Sequence, residues 1–516
     1  MSGLQTKGSK ILVSTMMITT MATLAACTSN TTESTPAPAT PAASTATTAT
    51  AQPVATVKPL DQVTLNIVFP GDPQPDQATV NAAIEKAVKD ELNVKLNYTY
   101  VPWDDYATKV KVMTSTGGNV DILWTHPELL AQLISSNSVA ALDDAIAKVG
   151  KDLKANIPDY YWPVVQVKGK TYGVPAAQIG TAAGYTTFTV RKDLREKYGL
   201  SEIKTLDDML AFYAAVKKNN PEIIPLSQSN TSFDLNFKEE FVRGLPSGVG
   251  IDMNTMKAEN MLDTPAYKKG LDFHRELFNK GYISKDVLSI KDFRAAFAAG
   301  KAASVIGDLP EYNINARTVS AIPGAQVEFV RIQITPKVFQ EVTTWNYQSI
   351  AAGSKNIERA VAFLNWFQKN QQNYDLLTLG VEGKHYVIKD GAVNFPAGVD
   401  PAKPPYLPFE WIWQNPKFMK SKGTDVKGFF EAYKDYDKDV TLRFPAMGFL
   451  FDTSTIKTEV ASLDSVNAEY GTVLKSGTAD VDKVLPQFKE KMKQAGIDKA
   501  IAEVQKQLDA FMASKK

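Results

Sequence analysis

The chain has 516 residues, with 57 basic and 56 acidic side chains, a formal net charge of +1 and one cysteine, Cys27. This balance excludes the strongly basic surface typical of nucleic-acid binding. A single cysteine excludes both an intrachain disulfide and a metal site built from several thiolates.

The N-terminal segment has the pattern of a secretory signal. Lys7 and Lys10 precede a mostly apolar run over 11–22, which ends in LAAC at 24–27. The run is shorter than the roughly 20 residues that a membrane-spanning helix needs. LAAC resembles the bacterial lipobox, in which the cysteine receives acyl chains such as palmitate and becomes the first mature residue. We therefore predict a lipoprotein signal peptide with its lipobox over 1–27, the alternative being an ordinary cut after Ala26.

Residues 28–60 are almost entirely Ser, Thr, Ala, Pro, Gln and Val. Such a composition buries too little apolar surface to offset the entropy of ordering, so we predict a disordered tether. A flexible chain of this length spans roughly 30 Å. The protein is therefore expected on the extracellular face of the cell membrane, held there by a lipid anchor only.

After residue 60, strand and helix patterns alternate. VTLNIVF at 63–69 alternates as a strand does, and apolar residues every fourth position from Val80 to Leu92 indicate a helix. The segments 94–101 and 120–124 have the composition of further strands. This order predicts a parallel α/β sheet with right-handed crossovers, and the length predicts two or more lobes.

Helix starts are marked further along the chain. Thr205 with Asp208 has the form of a capping box, and Thr264 followed by Pro265 places a cap before a proline at the first helical position. Asn356 is predicted to cap a helix that runs to about residue 379. Two amphipathic helices are predicted at about 481–494 and 497–513. The second carries an apolar stripe that we expect to pack on the body: Ile497, Ile501, Val504, Leu508 and Phe511.

Three predicted strands end in loops that carry polar groups. These loops read PGDPQ (70–74), PWDDY (102–106) and WTHPE (124–128). Open α/β sheets bind ligands beyond the carboxyl ends of their strands. Tryptophan beside carboxylates and amides suits a neutral sugar, whose C–H faces stack on the ring while its hydroxyls accept and donate hydrogen bonds.

A series of motifs follows in order over nearly all of 60–516: YATKVKVMTSTGGNVDIL (106–123), KTYGVP (170–175), VRKDLREKYG (190–199), KTLDD (204–208), FRAAFAAGK (293–301), SKNIERAV (354–361), GVEGKHY (380–386) and GFLFDTSTIKTE (448–459). In these motifs the chain resembles the solute-binding lipoproteins of bacterial ABC importers, of the carbohydrate type (family 1), in a branch with an additional C-terminal domain. Two local departures are Ile357, where a proline is common, and RFPAMG at 443–448, where an Asn-rich run is usual.

The resemblance implies a two-lobed periplasmic-binding-protein-like α/β fold of type II, with a helical C-terminal addition. Three crossovers between lobes are expected near 173–175, 301–304 and 345–351. The implied domains are lobe 1 over 61–173 with 304–346, lobe 2 over 174–303 with 351–439, and the addition over 440–516. A monomer is expected to capture an oligosaccharide by hinge closure and deliver it to the permease subunits of an ABC importer, without a cofactor.

Candidate ligand-binding side chains lie on strand-exit loops, at the expected crossovers or in compact polar-aromatic runs. At most one of Trp411 and Trp413 is expected to be a stacking platform. The candidates are Asp72, Gln74, Trp103, Asp104, Trp124, His126, Gln178, Tyr185, Asp308, Tyr312, Trp345, Asn346, Glu382, His385, Tyr386, Trp411 and Trp413.

The main alternative is a surface glycosidase or lyase that acts on polysaccharide. Asp104 and Asp105 are adjacent and point apart, which makes them a poor pair for glycoside hydrolysis. The sequence contains no nucleophile motif, metal cluster or phosphate loop, and His274 is predicted to be a structural residue within a helix. A peptide, a polyol or a sensor role remain alternatives on the same fold.

Overall fold

The computed structural model describes residues 60–228, 241–242, 244–400, 403–407 and 410–515. The predicted signal peptide, Cys27 and the tether up to residue 59 lie outside the described residues.

Strands are distributed over several small sheets. They are β1 Val63–Pro70, β2 Val94–Val101, β3 Ile122–Thr125, β4 Gln166–Val167, β5 Lys170–Thr171, β6 Val174–Pro175, β7 Tyr185–Arg191, β8 Phe241–Val242, β9 Val249–Asp252, β10 Lys257–Asn260, β11 Ser304–Ile306, β12 Val327–Gln333, β13 Phe339–Gln340, β14 Tyr347–Ile350, β15 Val387–Lys389, β16 Ala392–Asn394 and β17 Leu442–Arg443.

Helices cover the sheets and form most of the C-terminal region. The α-helices are α1 Gln77–Ala87, α2 Trp103–Ser115, α3 Pro127–Ser135, α4 Asp143–Val149, α5 Lys151–Asn156, α6 Lys192–Lys197, α7 Leu206–Asn219, α8 Pro265–Asn279, α9 Arg294–Ala298, α10 Leu309–Val319, α11 Ile357–Phe367, α12 Gln371–Thr378, α13 Glu410–Trp413, α14 Phe429–Lys434, α15 Lys457–Val466, α16 Thr472–Lys475, α17 Val481–Gln494 and α18 Ile497–Ser514. Short 3₁₀ segments are Asp159–Val165, Met261–Asp263, Val287–Ser289 and Thr453–Thr455, and Asn467–Gly471 is a π-helical turn.

The first lobe is built on a five-stranded sheet of order β2-β1-β3-β14-β6. β1 pairs in parallel with β2 and β3, as the alternating sequence pattern predicts, whereas β14 runs antiparallel between β3 and β6. Helices α1 and α2 connect the parallel strands, since such strands need a crossover between them. Both faces of β1 are therefore covered, and its residues 65–70 are all buried.

The second lobe is built on an antiparallel sheet of order β11-β7-β12. This pairing contradicts the predicted assignment of 304–346 to lobe 1, because β11 and β12 both pair with β7. The assignment of 351–439 to lobe 2 is also wrong for α11 and α12, whose Val361, Phe363 and Tyr374 lie in the core of the first lobe. Both lobe assignments depend on strand pairing and core packing between segments that are far apart in sequence, which local patterns do not encode.

The chain passes from the first sheet to the second between β6 and β7, and returns between β12 and β14. A third passage leads from Trp413, in the first core, to β17, which pairs with β13. The expected crossover at 301–304 does not occur there, because β11 begins at Ser304 inside the second sheet. We refer to 176–184, 334–346 and 414–441 as the first, second and third crossing.

The C-terminal helices form a separate core with the small β10-β9-β8 sheet. The stripe of α18 packs on this body as predicted: Ile497, Val504 and Leu508 are buried, and Ile501 and Phe511 pack against the same cluster.

The predicted helix starts are mostly confirmed. Thr205 and Asp208 form the reciprocal capping box of α7, and the Thr264 side chain accepts from the Tyr267 amide at the start of α8. Asn356 occupies the N-cap position of α11 as predicted, but its side chain makes no capping bond and the helix ends at residue 367 rather than near 379. Asn370 caps the separate helix α12 that follows.

Candidate functional site

At the carboxyl edge of the first sheet, the indole of Trp124 is hydrogen-bonded to a residue of the second crossing. Trp124 is the third residue of β3, 9% exposed, and its Nε1 donates to Oδ1 of Asn346 at 2.9 Å. Asn346 immediately precedes β14, whose Tyr347 pairs with Thr125. The antiparallel pairing therefore brings two predicted site residues together across more than 200 positions of sequence.

Trp103, Trp124, His126 and Trp411 form what we call the aromatic cluster. The Trp103 ring lies 5.6 Å from Trp124 in an edge-on arrangement and is stacked on Trp411 at 5.7 Å, with 25° between the planes. The His126 ring is 5.3 Å from Trp124. Trp103 and Trp411 remain 45% and 36% exposed, so the cluster presents ring faces to solvent on a base of buried indole.

His126 is anchored within this cluster by a carboxylate. Its Nδ1 lies 2.6 Å from Oε2 of Glu128, on the helix α3 that begins one residue after the histidine. This contact fixes the orientation of the imidazole against the Trp124 ring.

Gln178 and Asn346 form what we call the hinge amides, one on each of the first two crossings. Oε1 of Gln178 accepts from Nδ2 of Asn346 at 3.0 Å and from the Trp345 amide at 2.9 Å. The Ala176 amide donates to the Asn346 carbonyl at 2.9 Å. These contacts tie the two crossings together and link the aromatic cluster, through Trp124, to the first crossing.

A cavity of about 400 Å³, which we call the polar cavity, opens beside the hinge amides. Its volume lies within the range of small-molecule sites. Four predicted residues line it: Gln178, Tyr185, Asp308 and Trp345. The other lining residues are Gly180, Thr181, Ala182, Ala183, Gly184, Thr186, Thr187, Phe241, Ile306, Phe339 and Tyr436.

Two tyrosines that line the cavity hold a cation between their rings. The guanidinium of Arg331 lies 3.5 Å from the ring centre of Tyr185 and 4.4 Å from that of Tyr436. Its Nη2 donates to the Tyr436 carbonyl at 3.2 Å, and its Nη1 is 3.6 Å from Oδ2 of Asp439. Burial raises the pKa of both tyrosine hydroxyls, which therefore stay neutral. Cation–π contact holds both ring faces in place.

Asp308 places a carboxylate at the surface of the polar cavity. It caps α10, where its side chain accepts from the Glu311 amide at 3.1 Å. Although the carboxylate touches solvent, desolvation by the surrounding protein raises its pKa above the ordinary value. Tyr312, one turn further along α10, packs half-buried against Phe329 at 5.6 Å and does not line the cavity.

A buried hydroxyl faces this region without a protein partner. Thr186 lines the polar cavity, is 2% exposed, and its Oγ1 has no hydrogen-bond partner among the described residues. Such a group costs free energy unless something satisfies it, so the cavity wall is suited to a polar ligand.

Several predicted residues lie elsewhere. Asp72 and Asp104 are exposed. The side chain of Gln74 accepts a hydrogen bond from the Leu407 amide at 2.9 Å. None of the three lines the polar cavity. Glu382 is also exposed and away from the cavity.

His385, Tyr386 and Trp413 are structural in this fold. His385 is 1% exposed; its Nδ1 accepts from the Val381 amide at 2.8 Å and its Nε2 is 3.1 Å from Asp76. Burial raises the pKa of Tyr386 to about 12. Trp413 is 4% exposed, and its ring lies 4.9 Å from Phe69 and 5.2 Å from Phe367. Residues two apart in the helical turn α13 point in different directions, which sends Trp411 outward and Trp413 into the core.

Sequence reasoning found Tyr185 but missed Arg331, Tyr436 and the threonines of the cavity. Arg331 lies inside a strand, and Tyr436 lies on the third crossing after α14, so neither follows a strand end. The one available signal is an arginine within the otherwise alternating strand VEFVRIQ.

The described residues contain no group of three or more His, Cys, Asp or Glu side chains that could hold a metal ion. Over the same part of the chain, no helix has the length and apolarity needed to cross a membrane.

The two lobes have the topology of type II solute-binding proteins, with the aromatic cluster at the carboxyl edge of the first sheet and the polar cavity at the crossings. Residues 71–374 match the model of the family described as bacterial extracellular solute-binding protein. This match covers more than half of the chain, and the protein therefore belongs to that family. Its members are binding proteins, not enzymes. Residues 445–513 match a domain of unknown function, DUF3502.

Similar proteins extend over nearly the whole chain. A carbohydrate ABC transporter substrate-binding protein of Streptococcus pneumoniae serotype 4 is 26% identical over 461 residues, 86% of this chain and 89% of the relative. The crystal structure of the N-glycan transport solute binding protein NgtS from the same species has a TM-score of 0.74 at 24% identity, covering 88% of this chain and 100% of that one. The alginate-binding protein AlgQ2 has a TM-score of 0.63 at 18% identity, with 87% and 98% covered. These structural likenesses establish the fold.

Proposed function

We propose that the protein is the lipid-anchored substrate-binding subunit of an ABC importer. In this role it captures an oligosaccharide by closing its two lobes and delivers it to the permease. The single observation that carries the proposal is the hydrogen-bonded connection of exposed indole faces to a polar cavity through the hinge amides.

The chemistry of the site suits a saccharide. Trp103 and Trp411 offer ring faces for the C–H surface of a sugar, and the cavity adds hydroxyl, amide and carboxylate groups for its hydroxyls. An aromatic platform beside a separate polar cavity accommodates more than one sugar unit. The relative from Streptococcus pneumoniae is named a carbohydrate-binding protein, and NgtS has been crystallised with Man5GlcNAc; both support this class of ligand.

The position of the polar cavity favours closure of the two lobes on a bound ligand. The cavity is lined by residues of the first and second crossings and by Tyr436 of the third, so a ligand there contacts the segments that join the lobes. A ligand that binds the closed form better shifts the population toward it, and a differential affinity of a few kcal/mol is sufficient. Recognition of this kind requires no catalytic group.

The anchor is proposed from the sequence alone, since Cys27 lies outside the described residues. One acyl chain gives only marginal membrane binding, and two or more give stable attachment. A lipidated Cys27 followed by the tether would keep the monomeric binding protein near its permease at the extracellular face.

The test is a thermal-shift and calorimetric screen of the chain from residue 60 onward against neutral oligosaccharides, with peptides and polyols as alternative ligands. We expect saturable binding of at least one oligosaccharide, and chromatography should recover that sugar unchanged. Trp411→Ala should weaken this binding, whereas Asp144→Asn, an exposed change on α4 away from the site, should not. Binding of peptides or polyols alone, or turnover of the sugar, would contradict the proposal.

A further inference from the structure

The described residues that line the polar cavity give it an acidic balance of charge. Among its described lining residues, Asp308 is the charged side chain, and there is no lysine or arginine. The charge that a ligand meets on entering is therefore a carboxylate.

Arg331 contacts two residues of this lining without being one of the described lining residues itself. Its guanidinium is sandwiched between the rings of Tyr185 and Tyr436, donates to the Tyr436 carbonyl and approaches Asp439 at 3.6 Å. Its Nε is buried and has no hydrogen-bond partner among the described residues. The contacts that the structure gives to this charge are therefore with the two tyrosines and Asp439.

Two more carboxylates border the cavity on the third crossing. Asp437 accepts from the Ala182 amide at 2.7 Å and from the Gly180 amide at 3.1 Å, and both of these residues line the cavity. Asp439 accepts from the Tyr185 hydroxyl at 3.4 Å. With Asp308, three carboxylates therefore face or border the cavity. Of the two arginines near them, Arg331 approaches Asp439, and Arg294, whose charge acts on Asp308, is hydrogen-bonded to Glu311.

We propose that this cleft selects neutral and amine-bearing saccharides and rejects uronates. A uronate carboxylate in the cavity would lose its water and meet other carboxylates, with no lysine or arginine among the described lining residues to pair with it. Neutral hydroxyls instead donate to the Asp308 carboxylate, and a protonated amine forms an ion pair with it. The inference rests on the proposed function and narrows its ligand class.

The test compares sugars that differ only in charge, by isothermal titration at pH 6 and low salt. The pairs are mannotriose with trimannuronate, galactotriose with trigalacturonate, and triacetylchitotriose with its deacetylated, cationic form. We expect each acid to bind at least about tenfold more weakly than its neutral partner, and the cationic trimer to bind no more weakly than the acetylated one. An acid that binds as tightly as its neutral partner, or binds where the neutral one does not, overturns the inference. Failure of every saccharide to bind counts instead against the proposed function.

A charge-removed variant tests the assignment to these residues. Asn is as good a helix cap as Asp, so Asp308→Asn keeps the start of α10, and Asp439→Asn leaves Arg331 between its tyrosines. The double variant should bind the uronate trimer within about threefold of its neutral partner, while Asp144→Asn keeps the discrimination of the parent. A folded double variant that still binds the neutral sugar but rejects the uronate by the parental factor overturns the role of these carboxylates.

Discussion

Trp411 and Trp413 are two residues apart on the same helical turn and should respond oppositely to truncation. Trp413→Ala empties a site that is 4% exposed, between Phe69 and Phe367. Truncation of a buried Trp costs about 3–5 kcal/mol of unfolding free energy. Trp411 is 36% exposed and mainly stacked on Trp103, so its loss should cost about 1–2 kcal/mol.

These energies convert into melting temperatures. An unfolding entropy of about 2.1 cal/mol/K per residue over about 450 residues is close to 1 kcal/mol per kelvin. In scanning calorimetry of the unliganded protein, Trp413→Ala should therefore lower the Tm by about 3–5 °C and Trp411→Ala by about 1–2 °C, for cooperative unfolding.

Ligand binding should show the reverse order. A saturating oligosaccharide at about 100 times Kd stabilises by about 2.7 kcal/mol, and a tenfold loss of affinity lowers this to about 1.4 kcal/mol at the same concentration. Trp411→Ala should show that reduction, and Trp413→Ala should retain the full ligand-induced shift from its lower starting Tm. If Trp411→Ala keeps the full shift, or destabilises the free protein as much as Trp413→Ala does, the reasoning is refuted.

Three further perturbations test the hinge, the electrostatics and the anchor. Asn346→Ala leaves a buried indole N–H without its acceptor and unties two crossings, so we expect a loss of about 2–4 kcal/mol in denaturant unfolding together with weaker ligand binding; a near-neutral effect would contradict the hinge role. Hydrogen bonds from Lys384 and then His385 lower the pKa of Asp76 below 3.8, so its stabilising contribution is present above that pH and is lost as the pH falls through the lowered value. The Tm difference between the parent and Asp76→Asn should accordingly be present at pH 7 and decrease as the pH falls below 3.8. Cys27→Ser should release the full-length protein from the membrane fraction into the medium, and retention in that fraction would argue against lipid attachment.

Local patterns predicted the parts of the fold that depend on local physics. The strands β1 and β2, the capping box of α7 and the stripe of α18 are all present, because side-chain period and end-capping are properties of short segments. Lobe membership was predicted less well: residues 304–346 and the two helices after 356 were placed in the wrong lobes, since strand pairing joins residues far apart in sequence.

The candidate site residues were likewise predicted in part from local sequence patterns. Strand-exit reasoning found Trp103 and Trp124, and the expected crossovers led to Gln178 and Asn346, all of which the structure connects. It also selected His385 and Tyr386, which form a local knot that resembles a polar-aromatic site but is buried in the fold.

The sequence by itself determined the class of this protein: an exported α/β body with a family pattern in consecutive order, balanced charge and tryptophans after strands. Only the tertiary structure decided which tryptophan faces solvent, that Arg331 lies between two tyrosines, and that carboxylates border the cavity. The reason is physical. Composition and periodicity set what each segment can bury, whereas the direction of one side chain and the neighbours of one charge depend on contacts between segments that are distant along the chain.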